Sequence, residues 1–386
     1  MQNTYISRAI SLIVILVFSW SCRSFQEPQS IGEKTTVKKA LSLEIQPMIS
    51  DSLLNVRAIE IVQLTDSLHA LVYLTARGEI GTLLPSDILE GGMQDFDQIQ
   101  MTDSSSYTDF RTNLSTDSLK LNFRALAVDK NKGYGISIGS PAMLYALDID
   151  FEKNKVVYRE DHDKAFYDSM EFWNENEGLA IGDPTEDCMS IIITRDGGQN
   201  WTKLSCDQLP KAMDGEAAFA ASDTNIAIVD DHTWVATGGK ASRILYSPDK
   251  GLNWQVFETP IIQGKETTGM YSIDFYDAQN GFAIGGDYTD PDGSVDNKIR
   301  TKDGGRTWKV VSNGSGPGYR SCVQYVPNGL GKNLVAIGFK GIDYSTDAGD
   351  TWKHLSDEGF YTIRFLNDST AYAAGKGRIS KLVFKK

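Results

Sequence analysis

Histidine, cysteine and proline are scarce in this sequence, whose 386 residues include four histidines, four cysteines and eleven prolines. The histidines, His69, His162, His232 and His354, lie far apart and lack the spacing of metal ligands. Neither a glycine-rich nucleotide fingerprint nor a Gly-x-Ser-x-Gly nucleophile elbow is present. The sequence therefore predicts no cofactor and no metal site.

Basic residues are fewer than acidic residues. The chain carries 38 Lys and Arg against 51 Asp and Glu, a formal net charge of −13, and no run of basic residues offsets it. Such a surface repels nucleic acid and anionic membranes, so we expect no nucleic-acid partner. Apolar residues make up 41% and aromatic residues 10%, enough to bury a sizeable core.

The longest apolar run, residues 9–18, is too short to span a membrane. It follows Arg8 and precedes Cys22, as in a secretory signal. The segment resembles a bacterial lipoprotein signal, which implies a signal peptide at 1–21, a lipidated Cys22 with a tether at 22–40, and a single domain at 41–386. Ordinary cleavage near Ser21 without lipidation is the alternative. Both alternatives predict export.

Three further cysteines are Cys188, Cys206 and Cys322. Pairing Thr194 with Asn200 across a predicted turn also places Cys188 opposite Cys206, and an exported protein can oxidise such a pair. Two buried free thiols are the alternative, because a register shift of one residue would turn the side chains to opposite faces.

Four segments read Ser/Thr-x-Asp-x-Gly-x-x-Trp. In a turn between two strands, the hydroxyl and carboxylate oxygens accept backbone N–H groups, glycine adopts a positive φ and tryptophan fills the seam between sheets. The spacing of the tryptophans suits one four-stranded unit with its loops. The segments are Thr194–Trp201, Ser247–Trp254, Thr301–Trp308 and Ser345–Trp352.

This pattern resembles the Asp-box, or BNR, repeat of sialidases and of the photosystem II stability/assembly factor family. There the box is a structural hairpin near the outer edge of a β-propeller. The resemblance implies structural roles for Asp196, Trp201, Asp249, Trp254, Asp303, Trp308, Asp347 and Trp352. Four phrases resemble exported assembly-factor-like propellers, a branch without established catalytic residues: Phe166–Trp173, Gly182–Pro184, Gly215–Ser222 and Gly285–Tyr288.

Two kinds of short apolar strand each recur seven times: an inner strand, such as Tyr167 to Phe172 and Ala217 to Ala221, and a following strand, such as Gly178 to Gly182. Residues 41–386 divide into seven repeats of about 49 residues. The sequence therefore predicts an all-β, seven-bladed β-propeller. The last repeat lacks a fourth strand before the chain stops, and Leu41 to Met48 alternates as a strand. We expect this N-terminal strand to complete the last blade and close the ring.

In a propeller, residues that enter the innermost strands line one face of the central channel, where ligands bind. Four arginines among them could hold a carboxylate. The alternative is that these candidate residues pair with each other across the channel and merely fill it. The candidates are Arg57, Arg124, Tyr167, Asp168, Glu216, Tyr271, Tyr319, Arg320, Tyr361 and Arg364.

The sequence favours a non-catalytic binding or assembly factor, monomeric and anchored by lipid in the periplasm or outer membrane. We expect a protein, peptide or carbohydrate partner in the cell envelope, and membrane contact through the lipid anchor only. A sialidase-like glycoside hydrolase is the alternative. Its catalytic candidates are Glu216, Asp168 and Tyr271, because such enzymes need a nucleophile and an acid/base group.

Overall fold

The computed structural model describes residues 41–65, 68–86, 107–129, 132–147 and 154–385. The predicted signal peptide, the lipidated Cys22 and the tether lie outside these residues. From Leu41 onward the chain forms one compact unit. No helix in the described part is long and apolar enough to cross a membrane.

The described residues form 28 strands and include one short 3-10 helix, Cys206–Gln208. The strands are β1 (Ser42–Gln63), β2 (His69–Thr75), β3 (Glu79–Pro85), β4 (Tyr107–Asn113), β5 (Phe123–Asp129), β6 (Lys132–Ser137), β7 (Ala142–Leu147), β8 (Lys155–Glu160), β9 (Tyr167–Phe172), β10 (Gly178–Gly182), β11 (Ser190–Thr194), β12 (Thr202–Lys203), β13 (Glu216–Ala217), β14 (Ile226–Val229), β15 (His232–Ala236), β16 (Gly238–Gly239), β17 (Arg243–Ser247), β18 (Gln255–Glu258), β19 (Thr268–Phe275), β20 (Gly281–Asp287), β21 (Lys298–Thr301), β22 (Lys309–Val310), β23 (Cys322–Tyr325), β24 (Leu334–Gly338), β25 (Gly341–Ser345), β26 (Lys353–Ser356), β27 (Thr362–Phe365) and β28 (Thr370–Lys385).

Hydrogen bonding joins these strands into six sheets within the described residues. Four sheets have four strands: β5 to β8, β9 to β12, β14-β15-β17-β18, and β23 to β26. Two have six strands, in the orders β27-β28-β1-β2-β3-β4 and β13-β16-β19-β20-β21-β22. The all-β prediction is confirmed, but the prediction of seven blades is wrong, since there are six sheets.

The prediction that a strand from Leu41 to Met48 completes the last blade and closes the ring is also wrong, because that strand does not end at Met48. Residues 42–63 form one continuous strand, β1, whose first part pairs antiparallel with β28 and whose second part pairs with β2. The pairings run from Ser42 opposite Lys385 to Asn55 opposite Lys376, and then from Val56 opposite Thr75. Because no turn interrupts β1, the first and last repeats belong to one sheet, and a count of repeats overestimates the number of sheets.

The four tryptophan-containing turns share one hydrogen-bond pattern. In the first, Asp196 Oδ1 and Oδ2 accept bonds from Asn200 N (2.9 Å) and Nδ2 (2.7 Å), Thr194 Oγ1 donates to Oδ1, and Trp201 Nε1 donates to Gly198 O. Bonds from Asn200 lower the pKa of Asp196. The same contacts surround Asp249, Asp303 and Asp347, so these carboxylates are occupied within their own turns.

Apolar side chains of neighbouring sheets pack against each other to form the core. The ring of Tyr134 stacks on that of Phe172 with centroids 5.0 Å apart, and Trp201 meets both rings edge-on. Tyr134 and Phe172 come from different sheets, so the tryptophan of a turn closes the seam between them. This packing leaves the innermost strands to surround the central channel.

Candidate functional site: the central channel

Residues 218–225, here called the channel segment, cross the centre of the channel. The sequence predicts an inner strand at 217–221, which is wrong: the inner strand of that sheet is β14, which begins at Ile226. The alternating apolar residues here instead belong to a segment that hydrogen-bonds residues of the other five sheets. Its partners are Arg57, Arg124, Leu126, Met170, Ile273, Ser321, Thr362 and Arg364.

The centre of this segment is Asp223, whose φ of 59° lies in the left-handed region that aspartate tolerates. Its Oδ2 accepts the N–H of Leu126 (2.7 Å) and its Oδ1 accepts that of Met170 (3.1 Å), while its carbonyl accepts Arg364 Nη2 (3.1 Å). The side chain is 4% exposed. Asp223 therefore links three innermost strands and fixes the segment across the channel.

The channel segment separates the predicted residues into two groups. Arg57, Asp168 and Tyr361 lie at or near the start of inner-strand stretches, and Glu60, Glu171 and Arg364 follow three residues later in each case. Three residues of strand span about 10 Å. On the side of the first group, Arg57 and the nearby Arg124 donate to the carbonyls of residues 221 and 220. On the side of the second group, Arg364 donates to the carbonyl of residue 223.

We call the first group the arginine cup: Arg57, Arg124, Asp168, Tyr319 and Tyr361. Arg57 Nη1 donates to Ala221 O (3.0 Å), its guanidinium carbon lies 3.9 Å from the centre of the Tyr361 ring, and its buried Nε has no acceptor within the described residues. Burial lowers its pKa.

Arg124, the second cation of the cup, donates through Nη1 to Ala220 O (3.1 Å). Burial, followed by repulsion from Arg57, lowers the pKa of Arg124 to about 10. Neither arginine forms an ion pair with a carboxylate of the described residues. Two partly buried cations with no carboxylate of the described residues at ion-pair distance favour the binding of an anion.

Asp168 is fully buried, and the backbone N–H of Ala220 stabilises its carboxylate. Burial raises its pKa well above the ordinary value, Asp183 adds to this, and Arg124 opposes it. Asp183 accepts the N–H of Ala218 (2.8 Å), and burial raises the pKa of Asp183 to about 6. Burial therefore shifts both carboxyls toward the neutral form, although Asp183, with a pKa of about 6, is charged at neutral pH.

Tyrosines line the wall of the cup next to the arginines. Tyr271 stacks on Phe219 with centroids 3.9 Å apart, donates its hydroxyl to Thr267 O, and meets Tyr319 edge-on at 4.7 Å. Burial raises the pKa of Tyr271 and Tyr319. These rings are neutral, rigid surfaces for contact with a ligand.

Two predicted site residues are occupied by partners outside the cup. Glu216 forms a buried ion pair with Arg243 (2.5 Å) and accepts hydrogen bonds from Thr237 Oγ1 and Met213 N. Tyr167 donates its hydroxyl to Glu160 (2.7 Å) within the core between two sheets.

Arg320 is likewise paired, with Asp343 (2.6 Å), and both side chains are about 5% exposed. No hydrogen bond or ion pair joins Glu216, Asp168 and Tyr271, so the described residues do not assemble the proposed catalytic set. Glu216, Tyr167 and Arg320 are therefore held by residues outside the candidate set, and they do not pair with each other across the channel.

The second group, the acidic cup, consists of Glu60, Glu171, Asp223, Asp274 and Arg364 and lines a cavity of about 570 Å³. Arg364 Nε bonds Glu60 Oε1 at 2.7 Å. Partial burial raises the pKa of Asp274 to about 7. Sequence reasoning found only Arg364 here, although the three-residue offset from the first group was available as a signal.

The structure joins Cys188 and Cys206 in a disulfide, with Cα atoms 5.4 Å apart, and leaves Cys322 as a buried thiol. No group of three or more His, Cys, Asp or Glu residues in the described part could hold a metal ion.

Comparison with known proteins establishes the fold. No family model and no curated protein sequence matches this chain. A structure of YCF48 bound to D1 peptide is similar, with a TM-score of 0.59 and 11% identity over 89% of this chain and 95% of the other. YCF48 from Cyanidioschyzon merolae has a TM-score of 0.59 and 12% identity over 88% and 98%.

The GH74 xyloglucanase from Xanthomonas campestris also has a TM-score of 0.59 and 12% identity, over 88% of this chain and 53% of the enzyme. These proteins and the antiparallel sheets around the channel define the class: the chain is a β-propeller. At sequence identities near 11%, the similarity shows the fold and nothing further. Among these similar structures, YCF48 is the photosystem II assembly factor.

Proposed function

We propose that this β-propeller is an exported, lipid-anchored, non-catalytic binding protein that holds a carboxylate-bearing segment of a protein or peptide partner in the arginine cup. One observation carries the proposal: Arg57 and Arg124 are partly buried, lie close together and form no ion pair with a carboxylate of the described residues. Guanidinium groups bind carboxylates through paired N–H donors, and a water-poor site strengthens that contact.

The similar structure of YCF48 contains a bound D1 peptide, so a propeller of this shape can hold a peptide. In this chain, Tyr319 and Tyr361 flank the arginines, as aromatic residues do at the centres of protein interfaces. The Asp-box resemblance agrees with this branch, because its aspartates are used within turns and leave the channel face for recognition.

Peptide binding tests this function. Fluorescently labelled hexapeptides with a free terminal carboxylate, with a terminal amide and an internal Glu, or with neither, would be titrated into the mature protein. We expect peptides with either carboxylate to bind, and Arg57→Ala and Arg124→Ala to weaken them by about tenfold or more. Arg159→Ala, at an exposed arginine paired with Asp161, is the control.

Carboxylate-independent binding, or equal binding by both arginine variants and wild type, would overturn the proposal. So would the failure of every peptide to bind.

The lipid anchor is tested separately. Cys22→Ser should move the full-length protein from the detergent phase to the aqueous phase when cell extract is partitioned, because stable attachment requires the acyl chains. An unchanged partition would contradict lipidation at this residue.

A sialidase-like or other glycoside hydrolase is the second candidate. Asp168 has the raised pKa expected of a general acid, Asp183 lies close enough to perturb it, and the fold resembles a xyloglucanase. Release of fluorophore from a panel of glycosides that is lost in Asp168→Asn would favour this candidate. Glu216 is unsuited to the role, since Arg243 occupies it.

A further inference from the structure

A row of aromatic rings leads outward from the arginine cup. Tyr319 lies 4.7 Å from Tyr271 on one side and 5.3 Å from Phe339 on the other, measured between ring centroids, and Tyr288 lies 6.4 Å from both tyrosines. The inner pair is buried, at 3% and 4% exposure, whereas Tyr288 is 48% and Phe339 is 41% exposed. Two exposed aromatic side chains thus rest on a rigid aromatic base, the usual composition of an interface centre.

Phe339 also forms one wall of a cavity of about 570 Å³ beside the cup. Pro291, Pro317 and Trp352 give this cavity further apolar surface. Its charged floor is already satisfied, because Asp343 binds both Arg320 and His354. The cavity therefore offers an apolar side chain contact without leaving a buried charge unpaired.

The cup and the cavity are joined through Tyr319, which belongs to the arginine cup and whose ring contacts Phe339. A ligand that covers both regions must present a carboxylate and an apolar group together. Free carboxylate metabolites would use the arginines alone. An extended polypeptide supplies both groups within a few residues, and the charge of the cup selects its acidic segments.

We propose, building on peptide binding at the arginine cup, that the partner is a polypeptide segment carrying an aromatic or large aliphatic side chain within a few residues of its carboxylate. That side chain packs on Phe339 and Tyr288 and enters the cavity beside Phe339. The arginines select the carboxylate, and the aromatic row selects the residue next to it.

The test uses peptides with a free carboxylate in which a single Phe stands one to four residues before it, each matched with a Ser peptide. We expect the best Phe peptide to bind wild type about tenfold more tightly than its Ser partner, a difference of about 1.4 kcal/mol, because the bound ring covers the exposed Phe339 and Tyr288. Phe339→Ala should remove this preference and leave the Ser peptides unchanged. Phe339→Tyr should retain it, and Tyr288→Ala should reduce it.

Leu252→Ala is the matched control, since Leu252 is 68% exposed on a turn elsewhere. Equal binding of Phe and Ser peptides at all four spacings would overturn the inference, and so would a Phe preference that survives in Phe339→Ala. In either case, binding that still requires Arg57 and Arg124 would leave the proposed function standing. If the Phe339→Ala protein bound Phe and Ser peptides equally weakly, a folding defect would be indicated. Circular dichroism and the Phe339→Tyr variant would identify such a defect. The effect of Tyr288→Ala on the Phe preference would then decide whether the inference stands.

Discussion

The arginine cup and the acidic cup contain residues that lie three apart on the same inner strands. Their arginines differ in whether a carboxylate contacts them. Arg364 in the acidic cup contacts Glu60 and lies near Asp223, and these acids raise its pKa although burial opposes them. Arg57 and Arg124 in the arginine cup donate to carbonyl oxygens of the channel segment and, for Arg124, to Asn122 Oδ1, all of them neutral acceptors. An arginine that the fold supplies with a carboxylate is structural, whereas one without a carboxylate is available to a ligand.

The largest expected effect is the loss of Arg364. Arg364→Ala leaves Glu60 and its neighbouring acids without their cation. Removal of one partner from a buried pair costs about 3–5 kcal/mol, and the lower end of this range applies to the partly buried pair of Arg364 and Glu60. We expect a fall of this size in the free energy of unfolding, measured by urea denaturation. Adding Glu60→Gln to the Arg364→Ala protein should restore part of the lost free energy of unfolding. An Arg364→Ala protein as stable as wild type would show that the two cups do not differ in this way.

The channel segment that separates the cups provides the second effect. Asp223→Ala removes the acceptors of two buried N–H groups, those of Leu126 and Met170, and places alanine at a positive φ. Each unsatisfied group costs about 1–3 kcal/mol, so we expect a loss of about 2–4 kcal/mol in urea denaturation. Asp223→Asn keeps one acceptor oxygen and should lose less. Equal losses in the two variants would contradict the linking role of the carboxylate.

How much of this was predictable depends on the range of the interaction. The four turns, with their Asp, Gly and Trp, are local, so the sequence predicted their positions. Most inner strands were also found, and β9 and β10 coincide with the predictions. The number of sheets was not predicted, because the continuity of β1 depends on pairing with β28 and β2, at opposite ends of the chain.

The division of the site was also beyond the sequence. The alternation of apolar residues at 217–221 fits a strand, but the segment crosses the channel because Asp223 and its neighbours find partners on distant strands. Whether an arginine such as Arg320 is free depends on Asp343, 23 residues away. Entry positions therefore predicted which residues approach the channel, and tertiary contacts decided which of them are available.

The third prediction concerns how the free energy of unfolding depends on pH through Asp183, a carboxyl beside the arginine cup. Burial raises the pKa of Asp183 from an ordinary 3.8 to about 6, so the folded state binds the proton more tightly than the unfolded state. The contribution of this group to stability is then fully present below about pH 4 and is lost as pH rises to about 6. Asp183→Asn should match wild type at pH 4 and be about 1–2 kcal/mol more stable at pH 7.5.

Urea denaturation of both proteins at several pH values measures this difference, and the asparagine oxygen can still accept the N–H of Ala218. The comparison would fail if the difference in stability between the two proteins were the same at pH 4 and pH 7.5. A variant less stable at pH 7.5 would mean that the charged form of Asp183 is held by a partner rather than opposed by burial.

The smallest effect on stability is expected for Arg57→Ala, a variant for which we expect a large loss of peptide binding. Arg57→Ala breaks a hydrogen bond to Ala221 O and a contact with the Tyr361 ring, but it leaves no carboxylate unpaired. We expect a loss of about 1 kcal/mol or less in urea denaturation, as for a single neutral acceptor, several times less than for Arg364→Ala. A loss as large as that of Arg364→Ala would mean that Arg57 maintains the fold, and a reduced affinity for carboxylate peptides would then no longer identify it as a binding residue.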